Sequence, residues 1–163
     1  MATPVKAQLI AQNGGETLEF MFNPTEIEFS RSVNLNRASG ARTDEGLPKV
    51  SFGSPEPYGL TLSNLIFDTY ETGKNVYTTY VEKFRSAIEF VDGKDRPPIY
   101  VFTWGSQEYL RCFVKSLSYK LMLFLPDGTP VRASINLTLE EIGETTSTST
   151  SASSSSRSSD SRW

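Results

Sequence analysis

The sequence predicts a mainly β domain, a small β-barrel of about seven strands with one flanking α-helix and a long loop between strands three and four. Three observations predict it. Apolar and polar residues alternate at a period of two along most of residues 5–142. Only 75–91 shows the three- and four-residue steps of an amphipathic helix. Turn signals rich in Gly, Pro, Asn and Asp separate the alternating runs, and closing such a sheet on itself would remove its exposed edges.

The elements follow in order. Val5, Ala7, Leu9 and Ala11 alternate with Lys6, Gln8 and Gln12, and Asn13-Gly14-Gly15-Glu16 is a hairpin turn signal because Gly tolerates positive φ. Leu18, Phe20 and Phe22 give the second strand, which Asn23-Pro24 breaks. Ile27, Phe29, Arg31 and Val33 begin the third. Residues 36–57 show no period and are punctuated by Gly40, Gly46, Pro48, Gly53, Pro55 and Pro57. A structureless connection of this length is uncommon in a small domain and is usually functional or disordered, so it is the strongest departure from an ordinary β-domain. Tyr58, Leu60 and Leu62 restart the strand pattern.

In the helix, Tyr77, Tyr80, Val81, Phe84, Ile88 and Val91 form one apolar face, with Asn75 as the expected N-cap and Gly93 as the stop. Ile99 to Trp104 is apolar at both parities, as a strand covered on both sides would be. Residues 107–125 are too long for one regular strand. Their apolar parity switches near Lys115-Ser116, which implies a bulge or bend. Pro126-Asp127-Gly128-Thr129 is a turn, and Val131, Ala133, Ile135, Leu137 and Leu139 give the cleanest alternation of all.

Residues 1–143 read as one domain and 144–163 as a disordered Ser/Thr-rich tail. Of the nineteen residues 145–163, fourteen are Ser or Thr, a composition with too little apolar surface to offset the entropy of ordering. Arg157, Arg162 and Trp163 could alternatively form a short docking peptide.

Composition narrows the function. The net charge of −3 gives no general drive toward nucleic acid. There is no histidine, so Ser-His-Asp and Cys-His catalysis and histidine metal sites are excluded. The single cysteine, Cys112, allows no intramolecular disulfide and lies between Leu110 and Val114 as a small hydrophobe would. No apolar run reaches the length of a membrane helix, and the N-terminus lacks a signal-peptide pattern, so synthesis and folding in the cytoplasm are expected, without direct membrane insertion. Asp44 and Glu45 are adjacent carboxylates, but neighbours in an extended segment point to opposite sides, so they read as solvated loop charges. Arg31, Arg37, Arg42 and Lys49 form a loose basic run, either solvated or facing an acidic partner surface. No catalytic residue, metal ligand or cofactor is expected.

Specific words in the sequence go further. Phe22-Asn23-Pro24-Thr25-Glu26-Ile27 resembles the opening of the tube-protein domain of contractile injection systems. So do Gly40-Ala41-Arg42-Thr43-Asp44-Glu45-Gly46-Leu47-Pro48 and Phe52-Gly53-Ser54-Pro55-Glu56-Pro57-Tyr58. Three later stretches match in order: 60–70; Arg96-Pro97-Pro98-Ile99-Tyr100-Val101-Phe102-Thr103-Trp104-Gly105; and Phe124-Leu125-Pro126-Asp127-Gly128-Thr129-Pro130-Val131-Arg132-Ala133. The resemblance implies a tail-tube-like β-barrel in a phage-tail-like particle, released or held in the cell. It further implies a tube initiator: a homo-hexameric ring in the baseplate hub, contacting a spike (VgrG-like) protein, a neighbouring tube or tube-initiator ring and other baseplate proteins. Many relatives carry a LysM domain after this region, where this chain has the Ser/Thr tract. Arg37, Arg42, Asp44, Glu45, Lys49 and Arg132 are the expected subunit or layer interface. The competing expectation is a small monomeric β-barrel carrier, with a dry interior pocket for a ligand.

Overall fold

Alternation at a period of two becomes strands where it buries one face, and the computed structural model describes this for residues 3–12 and 15–143. Residues 13–14 of the first turn signal and the Ser/Thr tract from 144 onward lie outside the described residues. The strands are β1 (Ala7–Ala11), β2 (Leu18–Glu19), β3 (Glu28–Ser30), β4 (Val33–Arg42), β5 (Pro48–Pro55), β6 (Gly59–Asp68), β7 (Tyr100–Trp104), β8 (Gln107–Phe124) and β9 (Pro130–Glu141). Between β6 and β7, a π-helical turn at Tyr77–Val81 runs into a short helix, α1 (Glu82–Ser86).

Seven strands form one antiparallel sheet in the order β2-β1-β7-β8-β9-β6-β3, and β4 and β5 pair only with each other. The sheet is a half-barrel. The expected closure does not occur within the subunit, because the edge strands β2 and β3 are only two and three residues long and offer no ladder to join. Residues after β2 line the gap instead: the Asp68 backbone N–H donates to Met21 Sδ at 3.2 Å, and the Asn23 side chain ties to the backbone of Ala7 and Val5.

The core lies between the concave face of the sheet and the helix. Phe67 meets Phe84 at 5.3 Å and Tyr80 at 5.2 Å between ring centres, and Phe20 stacks on Phe84 at 5.9 Å. Phe20, Phe67 and Phe84, with Phe102, Leu60, Leu62, Ile135, Leu137 and Leu139, are essentially inaccessible to water, and Tyr80 is half-buried. Burying one such side chain stabilises the fold by about 1.5–3 kcal/mol. These aromatic rings pack together in the place where the competing expectation puts a ligand.

Several expectations hold in detail. β8 is one long strand whose pairing with β9 slips between Val114 and Ser116, at the parity switch. In the following turn, Gly128 takes φ of 90° and the Thr129 N–H donates to Asp127 Oδ1 at 3.0 Å. Asn75 caps the helix, its Oδ1 accepting from the Tyr77 N–H at 2.9 Å. Cys112 is fully buried, and burial pushes its thiol up to about 12.

Others need correction. The helix spans 77–86, not 75–91: past Ser86 the backbone tightens into i to i+3 bonds, as from the Glu89 N–H to the Ser86 carbonyl. Such turns nearly keep the helical period, which is why Ile88 still packs on the core. β7 is not fully covered on both sides, since Val101 and Trp104 are half-buried. The largest correction concerns the expected loop at 36–57, which is mostly the hairpin β4–β5.

Candidate assembly surface

β3 pairs with β6, Ser30 lying opposite Gly59. Beyond that pair the chain leaves the sheet, but the ladder resumes: the Glu56 N–H donates to the Ser32 carbonyl at 2.8 Å, Val33 lies opposite Pro55 and Leu35 opposite Phe52. β4 and β5 thus extend the β3–β6 pair past the end of the sheet as an arm about 33 Å long, at roughly 3.3 Å per residue. The neck is clamped by Arg31. Its Nε donates to the Glu56 carbonyl at 2.7 Å, and its guanidinium lies 4.6 Å from the centre of the Tyr58 ring. Tyr58 is tied in turn to Glu141, whose carboxylate accepts from the Tyr58 N–H at 3.0 Å. Beside the neck, Lys115 pairs with Glu140 at 2.6 Å.

The tip is a turn over 43–47. Gly46, at φ of 82°, occupies a conformation that L side chains rarely adopt, and its N–H donates to the Thr43 carbonyl at 2.8 Å. Arg42 closes the turn by donating to the Gly46 carbonyl at 2.7 Å. Asp44 and Glu45 stand exposed at the end.

Residues opposite one another in an antiparallel ladder share a face. One face of the arm therefore carries Leu35, Phe52, Arg37 and Val50, and the other Asn36 and Ser51. The first is an apolar face with nothing on it. Phe52 is 78% exposed, Val33 49% and Leu35 45%, and every residue of β5 is exposed. An isolated two-stranded ribbon is at best marginally stable in water. An exposed apolar face of this kind is a candidate surface for association.

A second feature points the same way. β7 pairs with β8 only as far as Cys112, opposite Tyr100, so among the described residues β8 has from Phe113 to Phe124 a strand neighbour on one side only, β9. Such an edge offers backbone donors and acceptors to a further strand.

Five of the six expected interface residues come together on the arm: Arg37 and Arg42 on β4, Asp44 and Glu45 at the tip and Lys49 on β5, all exposed. Arg132 does not join them. It is half-buried on β9 and pairs with Asp68 at 2.8 Å, at the far end of β6. There the Tyr70 N–H, and then the Arg132 guanidinium, hold the Asp68 carboxyl below its ordinary value. Among the described residues, no group of three or more acidic or cysteine side chains could hold a metal ion. Sequence reasoning missed Leu35, Leu47, Val50 and Phe52. The alternation Lys49-Val50-Ser51-Phe52, facing Leu35-Asn36-Arg37 across Asp44-Glu45-Gly46, was the signal that could have found them.

No helix of the described residues is long and apolar enough to cross a membrane. Among curated proteins, none matches the chain. The family model for the contractile injection system tube protein matches residues 3–150, almost the whole sequence. With an arm and a strand edge that a lone subunit leaves uncovered, the chain belongs to the contractile injection system tube proteins: a structural part of an injection-system particle, of a kind that assembles into rings and tubes, and not an enzyme.

Proposed function

We propose that the chain forms a ring at the start of the inner tube, hexameric as the sequence resemblance implies, in the baseplate hub between a spike protein and the first tube layers. Arg37, Arg42, Asp44, Glu45 and Lys49 belong to the contacts of the arm, and Arg132 to a separate contact. The folded unit ends near residue 143, and the Ser/Thr tract is dispensable for the ring.

The observation that carries the reading is the uncovered apolar face of the arm, Leu35 and Phe52 above all. Leaving these side chains in water forgoes about 25 cal/mol for every Å² of apolar surface, which association recovers. The long edge of β8 supports the same reading, since joining sheets edge to edge satisfies backbone groups without new side chains.

Native mass spectrometry with negative-stain imaging tests it. Six-subunit rings that seed tube growth when the tube protein is added, and that cap rather than lengthen the tube on the spike side, are the expected outcome. A monomer at every concentration, with spike and tube proteins present, contradicts ring formation. Rings that never seed a tube contradict the placement at its start.

A further inference from the structure

We propose that the tip of the arm docks into a cleft at the opposite end of β6 on a second copy of this chain, making a head-to-tail contact. The inference rests on the reading of the chain as a self-assembling ring subunit.

The cleft has a volume of about 610 Å³. The Asp68–Arg132 ion pair lines it, where β6 ends beside the start of β9. Phe22 and Tyr70 line it, 53% and 59% exposed, with the Lys6 ammonium 5.7 Å from the centre of the Phe22 ring. Glu71 and Lys74 are exposed at it, and neither takes part in an ion pair among the described residues.

The tip matches this chemistry group for group. Leu47, 60% exposed, is an apolar side chain of a size to sit against the two aromatic rings. Asp44 and Glu45 supply carboxylates for Lys74, and Arg42 supplies a cation near them for Glu71. Both surfaces carry both signs, so the fit fixes orientation as well as sign.

Placement makes the contact intermolecular. The arm is anchored at Gly59 and the cleft lies at Asp68, the two ends of a ten-residue strand about 33 Å long. Among the described residues the arm pairs with no strand of the seven-stranded sheet. When each copy gives its tip to one neighbour and takes the tip of another, the contact is heterologous, and heterologous contacts close into a ring when the rotation between copies permits, or otherwise run on as a stack. Two copies that exchanged tips reciprocally would stop at a two-fold dimer, and L47C/Y70C dimers with no higher species would overturn the head-to-tail contact.

Cysteine cross-linking in the full chain tests it. Cys112 is fully buried, so background coupling is low. The double variant L47C/Y70C, oxidised under assembly conditions, should give a ladder of dimers, trimers and higher species on a non-reducing gel, ending at the subunit number if the ring closes. The control pair L47C/E89C, with its second cysteine on the exposed side of the helical segment, should couple at least tenfold less. Glu45→Lys should weaken assembly and E45K/K74E restore it. If the unmodified protein assembles but L47C/Y70C gives no more ladder than the control, the contact is wrong and the ring reading stands. Dimers alone from L47C also overturn it, since they report a symmetric tip-to-tip contact. If the unmodified protein never assembles, the ring reading fails and takes this contact with it.

Discussion

The arm and the centre of the sheet are built alike and end differently. β6 and β9 form an antiparallel pair with alternating side chains, and so do β4 and β5. In the first pair Leu60, Leu62, Phe67, Ile135, Leu137 and Leu139 face the helix and are inaccessible. In the second, Leu35 and Phe52 lie just as squarely opposite each other and face water. The local pattern is shared; what differs is whether the same chain supplies a cover. The centre of the sheet is covered by its own helix, while the apolar face of the arm stays exposed in the subunit.

The comparison breaks most visibly at two phenylalanines. Phe67→Ala removes a ring packed against Phe84 and Tyr80 and should cost the subunit about 3–5 kcal/mol in denaturant unfolding. Phe52→Ala should change subunit stability by less than about 0.5 kcal/mol, yet strongly reduce assembly in sedimentation velocity. An equal loss of stability in both variants would mean that the arm packs on its own subunit.

Within the centre, Asn64 sharpens the account. It sits at φ of 56° where the β6–β9 register slips between Leu62 and Leu65. Its N–H donates to Asn136 Oδ1 at 2.7 Å and its Oδ1 accepts from the Ser134 hydroxyl at 3.0 Å. Asn64→Val loses the acceptor and strains the backbone, for an expected cost of about 1–3 kcal/mol. Asn64→Gly, which loses the acceptor but relieves the strain, should cost clearly less in the same unfolding measurement.

The neck connects the two regions. Arg31→Ala removes an exposed hydrogen bond and a cation–π contact, worth about 0.5–1 kcal/mol at such a site. Its larger effect should be on the arm's orientation, read in the assembled form as faster amide exchange across 33–55 with no change across β9.

The smallest effect is on pH. The Asp68 carboxyl titrates below its ordinary value of 3.8, chiefly through the Tyr70 N–H and then Arg132. A depressed carboxylate contributes stability that is fully present above its unfolded value and is lost as pH falls through the folded one. The melting temperature should therefore be insensitive to this group above about pH 5 and fall below pH 4, and Asp68→Asn should flatten part of that fall.

What the sequence disclosed follows the same division. Where a face is buried, composition must obey the period, so β1, β6 and β9 were legible, β7 was read from its apolar run, and the parity switch at 115–116 located the bulge in β8. The arm carries no such constraint along its whole length. Gly40, at φ of 87°, lies within the register shift between Arg37 and Arg42, and Pro48 and Pro55 sit at the ends of β5, where no ladder donor is needed. These residues look like loop punctuation, and they hid the alternation of Val50 and Phe52. The charged residues of the arm were singled out because charges in an unpatterned stretch stand out; its exposed apolar residues were not, because apolar residues gain meaning only once their partners across the ladder are known. The open edge of β8 depends on where β7 stops, which no local pattern states.

Hydrogen exchange across β4 and β5, measured on the free subunit and on the assembled form, tests most directly whether assembly is what completes the arm. Amides of 33–42 and 48–55 should exchange close to the unprotected rate in the free subunit and at least tenfold more slowly once assembled, while those of 131–139 stay equally slow in both. Protection of the arm that is already high in the free subunit, or unchanged on assembly, would contradict the account.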